Sequence, residues 1–236
     1  MKKRLAVGWG VLAAWVLVAL AGAALWSQWL VVPDRWNPWA PLRPAEEPTF
    51  LTGYKLARLR ADPVACRATL RATPLSYSLQ ADRAVLRGCG WTDSVRITAL
   101  PARVNEPFVL QCPAAVALAL WERHVVQPMA REHLGQPVTG IEHLGSFACR
   151  NIGGEGRHRR SEHATANALD VAAFALADGR TVSVLRDWGR DDARGRFLHD
   201  VHRGACRFWN VVLGPDHNAA HRDHFHLDRG AFRACR

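Results

Sequence analysis

Hydrophobic and polar positions divide the chain into three parts. Leu5 to Trp26 is an unbroken apolar stretch of 22 residues that would extend about 33 Å as a helix. That length predicts one transmembrane helix, which makes residues 1–32 a membrane anchor. Lys2, Lys3 and Arg4 precede the stretch and no ionisable residue follows until Asp34, so the positive-inside rule keeps the N-terminus cytoplasmic and puts the remainder outside. Ala21-Gly22-Ala23 has the small-residue character of a signal-peptide cleavage site, but the apolar run exceeds the ~7–15 residues such a peptide uses. Trp26, Trp29, Trp36 and Trp39 stand where an interfacial aromatic belt would lie. Residues 33–49 carry five prolines and no hydrophobic period, the pattern of a stiff extended spacer. The folded domain then occupies residues 50–236.

Within that domain the patterns alternate between the two periods. Asp62-Pro63 reads as an N-cap with proline at the first helical position, opening a helix to Arg71. Val95–Ala99 alternates as a short strand. Cys112-Pro113 opens an apolar helix through AAVALALWERHVVQ, which Pro128 should kink or end. Val138–Leu144 reads as a strand. Ala168–Leu176, the turn Asp178-Gly179 and Thr181–Leu185 read as a hairpin. Asp191–Cys206 has helical spacing, and His224–Asp228 closes the domain as a strand. Helices and a hairpin-bearing sheet without a βαβ repeat predict an α+β fold.

Composition changes this picture in two respects. The net charge is +10, and 28 of the 31 basic residues are arginine, but beyond Arg4 no basic run exceeds two residues. A nucleic-acid partner is therefore not expected, since such proteins gather their charge into a stripe. All six cysteines (Cys66, Cys89, Cys112, Cys149, Cys206, Cys235) lie beyond the Pro-rich segment, and none form a CxxC pair. An even set in an oxidising compartment reads as three disulfides; fifteen pairings are open, and six free thiols would require a cytosolic location.

Candidate chemistry concentrates in the last third, which holds eight of the eleven histidines. The segments are Ser161-Glu-His163-Ala-Thr-Ala-Asn-Ala-Leu-Asp170 and His221-Arg-Asp-His224-Phe-His226-Leu-Asp228. A catalytic zinc site takes three nitrogen or oxygen ligands and leaves a fourth position open. His163, Asp170 and one of the final histidines supply that set. On a strand, His224 and His226 project to one side, so one can bind metal while its neighbour serves the reacting water. Alone, an HxH pair is as readily a surface feature, and Asp170 a turn cap or arginine partner. Asp228 reads as a turn or salt-bridge residue, and His199 and His202 as one helix face. Glu162 reads as a loop carboxylate beside the site. Ser161 either bonds Asp170 or caps its own loop.

At these residues the chain resembles the LAS-type zinc peptidases, which include D-Ala-D-Ala peptidases, murein endopeptidases and the hedgehog group. Ser161, His163 and Asp170 match SxHxx(G)xxxD, and His224 and His226 match HxH; Ala166 stands where that motif usually has glycine. From about Phe50 to Arg236 the sequence also resembles the bacterial extensin-like C-terminal domain. That likeness runs through CPAAVALALW (112–121), GSFACR (145–150), SEHATANALDVAAF (161–174), FLHDVHRGAC (197–206) and VLGPDHNAAHRDHFHLD (212–228). The resemblance implies a LAS fold, a small antiparallel sheet with flanking helices. It implies Zn2+ held by His163, Asp170 and His226, His224 as general base, His221 assisting on the rim, and Arg150 holding a substrate carbonyl or carboxylate.

The resulting expectation is a zinc-dependent hydrolase anchored in the inner membrane as a single-pass protein, with its C-terminal domain in the periplasm. It would cleave an amide bond in peptidoglycan peptide stems. The alternative is a non-catalytic zinc-containing module that binds cell wall or envelope on the same fold.

Overall fold

The computed structural model describes residues 2–26, 31–153 and 159–236, with side chains in the first helix described over 10–23. Trp29 and His158 lie outside the described residues. Helix α1 spans Lys2–Trp26. Among the described residues no helix is long and apolar enough to cross a membrane, and the transmembrane expectation is corrected on that finding.

The Pro-rich segment is not a free spacer. Leu42 joins the core, Lys55 Nζ donates to the Asp34 carbonyl at 2.6 Å, and the His124 ring meets the Pro44 carbonyl at 2.8 Å. Next come α2 (Thr52–Arg58) and α3 (Pro63–Arg71); the Asp62 carboxylate accepts from the Ala65 N–H and caps α3 as expected. The strands β1 (Ser76–Leu79), β2 (Arg83–Leu86), β3 (Cys89–Trp91), β4 (Ser94–Ala99), β5 (Arg103–Val104) and β6 (Phe108–Gln111) follow. β1, β4 and β6 form an antiparallel sheet, and β2 pairs with β3.

Helix α4 (Cys112–Trp121) is apolar all round because it is buried all round: every residue from Ala114 to Trp121 is in the core. Pro128 neither ends nor breaks the path. A π-helical turn over Glu122–Val126 widens the helix just before the proline ring would meet the preceding turn, and α5 (Gln127–Leu134) continues to a left-handed Gly135 cap.

The second half builds the sheet that carries the histidines. Its elements are β7 (Val138–Gly145), β8 (Ala168–Leu176), β9 (Thr181–Ser183), α6 (Val184–Asp187), α7 (Ala193–Ala205), β10 (Val211–Leu213), β11 (Phe225–Asp228) and β12 (Ala234–Cys235). The strand order is β12-β10-β11-β8-β7-β5, with β9 also on β8. β8 is the spine: β7 runs along one edge, while β11 pairs with residues 168–171 and β9 with 173–175 on the other. This seven-stranded sheet contains two parallel pairings, β10 with β12 and β5 with β7, so it is neither small nor wholly antiparallel as expected. The hairpin's second strand stops at Ser183, where the Asp187 carboxylate takes the Ser183 N–H at 2.8 Å and a helical turn begins.

All six cysteines are paired, as Cys66–Cys112, Cys89–Cys149 and Cys206–Cys235. They close loops of 46, 60 and 29 residues, each worth roughly 4 kcal/mol by loss of unfolded-chain entropy.

Candidate metal centre

The site begins with strand register. Asp170 of β8 lies directly opposite His226 of β11, and cross-strand partners project to the same face. His163 comes from a tight turn over Glu162–Thr165. The Ser161 hydroxyl caps this turn by accepting from the His163 N–H at 3.3 Å, which settles Ser161 as a loop cap. The turn leaves through Ala166 at φ 53°, a left-handed conformation that favours glycine, and this explains why the motif usually places glycine there. The Gln111 N–H holds the Ala166 carbonyl at 2.8 Å and fixes the exit.

These constraints bring three atoms into a nearly equilateral triangle. His163 Nε2 is 3.1 Å from Asp170 Oδ1 and 3.1 Å from His226 Nδ1, which is 3.0 Å from Asp170 Oδ1. All three residues are buried. Each ring turns its outer nitrogen to an acceptor: His163 Nδ1 faces the Ser146 carbonyl at 3.3 Å, and His226 Nε2 faces Asp228 Oδ2 at 3.0 Å. The inner nitrogens face the Asp170 carboxylate, so where each ring carries its single proton on the outer nitrogen, the inner nitrogen presents a lone pair beside that carboxylate. Three lone pairs at this separation repel unless a proton or a cation lies among them.

The proton solution is visible in the electrostatics. Burial alone would lower the His226 pKa, but hydrogen bonds to Asp170 and Asp228, with their charges, outweigh it and raise it to about 9. Burial would raise Asp170, yet the His163 and His226 hydrogen bonds and charges hold it well below the usual carboxylate range. The cation solution fits as well. Tetrahedral ligands 2.0–2.1 Å from a zinc ion stand about 3.3 Å apart, close to the edges of this triangle. Among the described residues this is the one group of three or more metal-ligating side chains close enough to share an ion. Two neutral imidazoles and a carboxylate suit zinc, and outer partners on both rings are what metal-ligating histidines ordinarily have.

Asp228, expected as a turn residue or salt-bridge partner, takes the salt-bridge role. It is two residues beyond His226 on the same strand face, its Oδ1 takes the Gly230 N–H at 2.8 Å, and its Oδ2 orients the His226 ring. The alternation His224-x-His226-x-Asp228 was the available signal. The Ser146 carbonyl had none, because any residue type can offer it. β7 carries bulges before Gly145, which lies opposite Asp170, and Ser146 follows directly after it.

The model of the family described as extensin-like protein C-terminus matches residues 64–236, a span that holds every residue of this site. The chain belongs to this family. No curated protein and no solved structure matches it. The expected LAS fold thus has no structural neighbour, and only its α+β class stands.

In this extensin-like domain the remaining predicted residues separate into near and far. His224 Nε2 is 3.6 Å from Asp170 Oδ1, yet His224 does not join the triangle. Its Nδ1 is 2.8 Å from Asp223 Oδ1, which holds the Nδ1 proton and turns Nε2 inward. His221 packs against His224 and His226, with ring centroids 5.4 and 5.9 Å away. Burial first, then the charge of His226 and the electrostatic effect of the neighbouring His224 and His217 rings, pushes it down to about 4, so it is neutral at pH 7. Arg150 is exposed; among the described residues no hydrogen bond or ion pair ties its guanidinium to the triangle. Glu162 does not reach the triangle either: its Oε2 accepts from Asn167 Nδ2 at 2.7 Å, and its Oε1 lies close against Gly230. His199 stacks on Trp188 and His202 donates to the Arg236 carbonyl, both in packing roles.

Proposed function

We propose that this protein is a zinc-dependent hydrolase of an amide bond in peptidoglycan peptide stems, working in an oxidising compartment outside the cytoplasm. The observation that carries the reading is the triangle of His163, Asp170 and His226, two ring nitrogens and a carboxylate oxygen 3.0–3.1 Å apart with an outer acceptor behind each ring. A zinc ion held there would polarise a substrate carbonyl and make water more acidic. The chain's own part is positional. Ser146 and Asp228 fix the two rings, and Asp223 leaves His224 Nε2 free to accept a proton at the edge of the site. Neutral His221 lines the rim, and Arg150 would meet a substrate carboxylate from the 146–153 loop.

The compartment is supported by the three disulfides, which persist where thiols are not kept reduced. The substrate class rests on the resemblance of Ser161, His163, Asp170, His224 and His226 to the motif of murein peptidases. The exposed, untied Arg150 favours a second reading, a non-catalytic zinc-containing module that binds the wall. Incubating the full chain with purified peptidoglycan, with and without chelator, and reading released stem peptides by mass spectrometry separates the two. Chelator-sensitive cleavage that His224→Ala abolishes supports the enzyme. Binding to the wall polymer without cleavage, with zinc bound, supports the module.

A further inference from the structure

A second polar site lies on the other side of β11. Side chains alternate across a strand, so the residue after Asp228 turns away from the metal-ligating face. That residue is Arg229, an arginine only 8% exposed. Its Nη1 donates to the Phe208 carbonyl at 2.7 Å and to Asn210 Oδ1 at 3.2 Å, but its Nε has no partner among the described residues. The Trp209 indole N–H, also buried, is orphaned in the same way. Both residues line one cavity of about 250 Å3, with Arg207, Arg233 and Asn210 beside them and the Cys206–Cys235 disulfide in its wall.

Buried donors without acceptors are rare in native proteins, and these two belong to residues that line one cavity, close enough that an acceptor entering it would meet them after a small side-chain shift. The charge points the same way. Among the described residues, Arg207, Arg229 and Arg233 form no ion pair at all. Burial, then the like charges of Arg233 and Arg60, outweigh the opposing Asp228 carboxylate and push the Arg229 pKa down to about 10. A carboxylate would bring one charge and two oxygens to three guanidinium groups and an indole N–H. A phosphate group brings up to two charges and more oxygens, which match that donor set better.

We propose that this cavity binds a phosphate group, with Arg229 and the Trp209 N–H as its floor and Arg207 and Arg233 as its rim. The group has two possible sources, a free phosphate or phosphomonoester and the phosphodiester of a lipid headgroup.

The test is isothermal titration of the full chain, held in a neutral detergent, with inorganic phosphate and with glycerophosphoglycerol, the deacylated lipid headgroup. Sodium chloride at matched ionic strength and acetate serve as controls. Saturable phosphate or diester binding is expected, weakened about tenfold by Trp209→Phe, which removes the N–H and leaves a smaller aromatic ring in its place. Arg233→Ala, at an exposed rim position, should weaken it similarly. Tighter binding of inorganic phosphate assigns the site to a free phosphate, and tighter binding of the diester to a headgroup. Heats no different from chloride, acetate bound as well as phosphate, or affinity unchanged in both variants would overturn the proposal.

Discussion

Zinc uptake by this site should release a proton, and its pH dependence follows from His226. In the metal-free protein that ring is held at about 9 by Asp170 and Asp228, against ~6.5 for an unperturbed histidine. At pH 7 it is therefore almost fully protonated, and a metal must displace the proton from Nδ1. Two pH units below the pKa, the displacement costs about 2.7 kcal/mol, roughly a hundredfold in apparent affinity. Apparent zinc affinity should accordingly rise about tenfold per pH unit between pH ~6.5 and ~8 and level off near 9. The stability of the metal-free protein runs the other way. A raised histidine pKa gives stability that is complete below ~6.5 and lost as pH rises through about 9. Competition against a chromophoric chelator of known proton dependence measures the first slope, and urea unfolding with chelator present measures the second. Asp228→Asn sharpens the test, because it removes one of the two carboxylates that raise the pKa and also the partner that orients the ring. Its pH slope should flatten, and its zinc affinity near pH 9 should fall about 10- to 100-fold. A zinc affinity independent of pH in the wild type, or an Asp228→Asn variant with the wild-type slope and affinity, would refute the reasoning.

Further outcomes follow from particular contacts. His224→Ala should keep zinc at wild-type stoichiometry and lower peptide hydrolysis about 10²- to 10⁴-fold, read by parallel metal and cleavage assays. If it loses zinc as His163→Ala does, His224 is a ligand. Ala166→Gly should change stability by no more than about 1 kcal/mol, since relief of the left-handed strain is offset by lost burial and a freer unfolded chain. Ala166→Val should cost more than ~2 kcal/mol in urea unfolding, because it adds bulk at a fully buried site and β-branching at positive φ. Replacing Cys89 and Cys149 together with serine should remove about 4 kcal/mol, measured by unfolding without reductant.

The parts of the site legible in the sequence were those that depend on side-chain type and parity. His163, Asp170, His224 and His226 were chosen for their donor atoms, and strand alternation placed the two later histidines on one face. The same parity reaches Asp228, but its role depends on β11 extending through that residue rather than turning. Asp223 became meaningful only once its carboxylate was seen beside His224 Nδ1. The Ser146 carbonyl was illegible because backbone acceptors carry no residue signature. The long elements α3, α4, α7 and β8 were readable from period and caps. The strands β1, β2, β3 and β5 were not, because each is only two to four residues long, and β1, β2 and β5 are largely exposed. Proline content suggested a stand-off spacer in residues 33–49, but Leu42 and the Lys55 contact to Asp34 dock that segment on the domain. At Pro128 the rule for proline in a helix identified the right place; the π turn absorbed the clash that would otherwise have kinked or ended the helix.

The most direct test of the metal centre is the zinc content of the full chain purified from an oxidising compartment, measured by elemental mass spectrometry beside His163→Ala and His226→Ala. Circular dichroism and thiol counting would establish that each variant is folded and disulfide-bonded. The triangle predicts close to one zinc per wild-type chain and almost none in either variant. A folded, fully disulfide-bonded wild type that carries no metal and takes up none when zinc is supplied would contradict it.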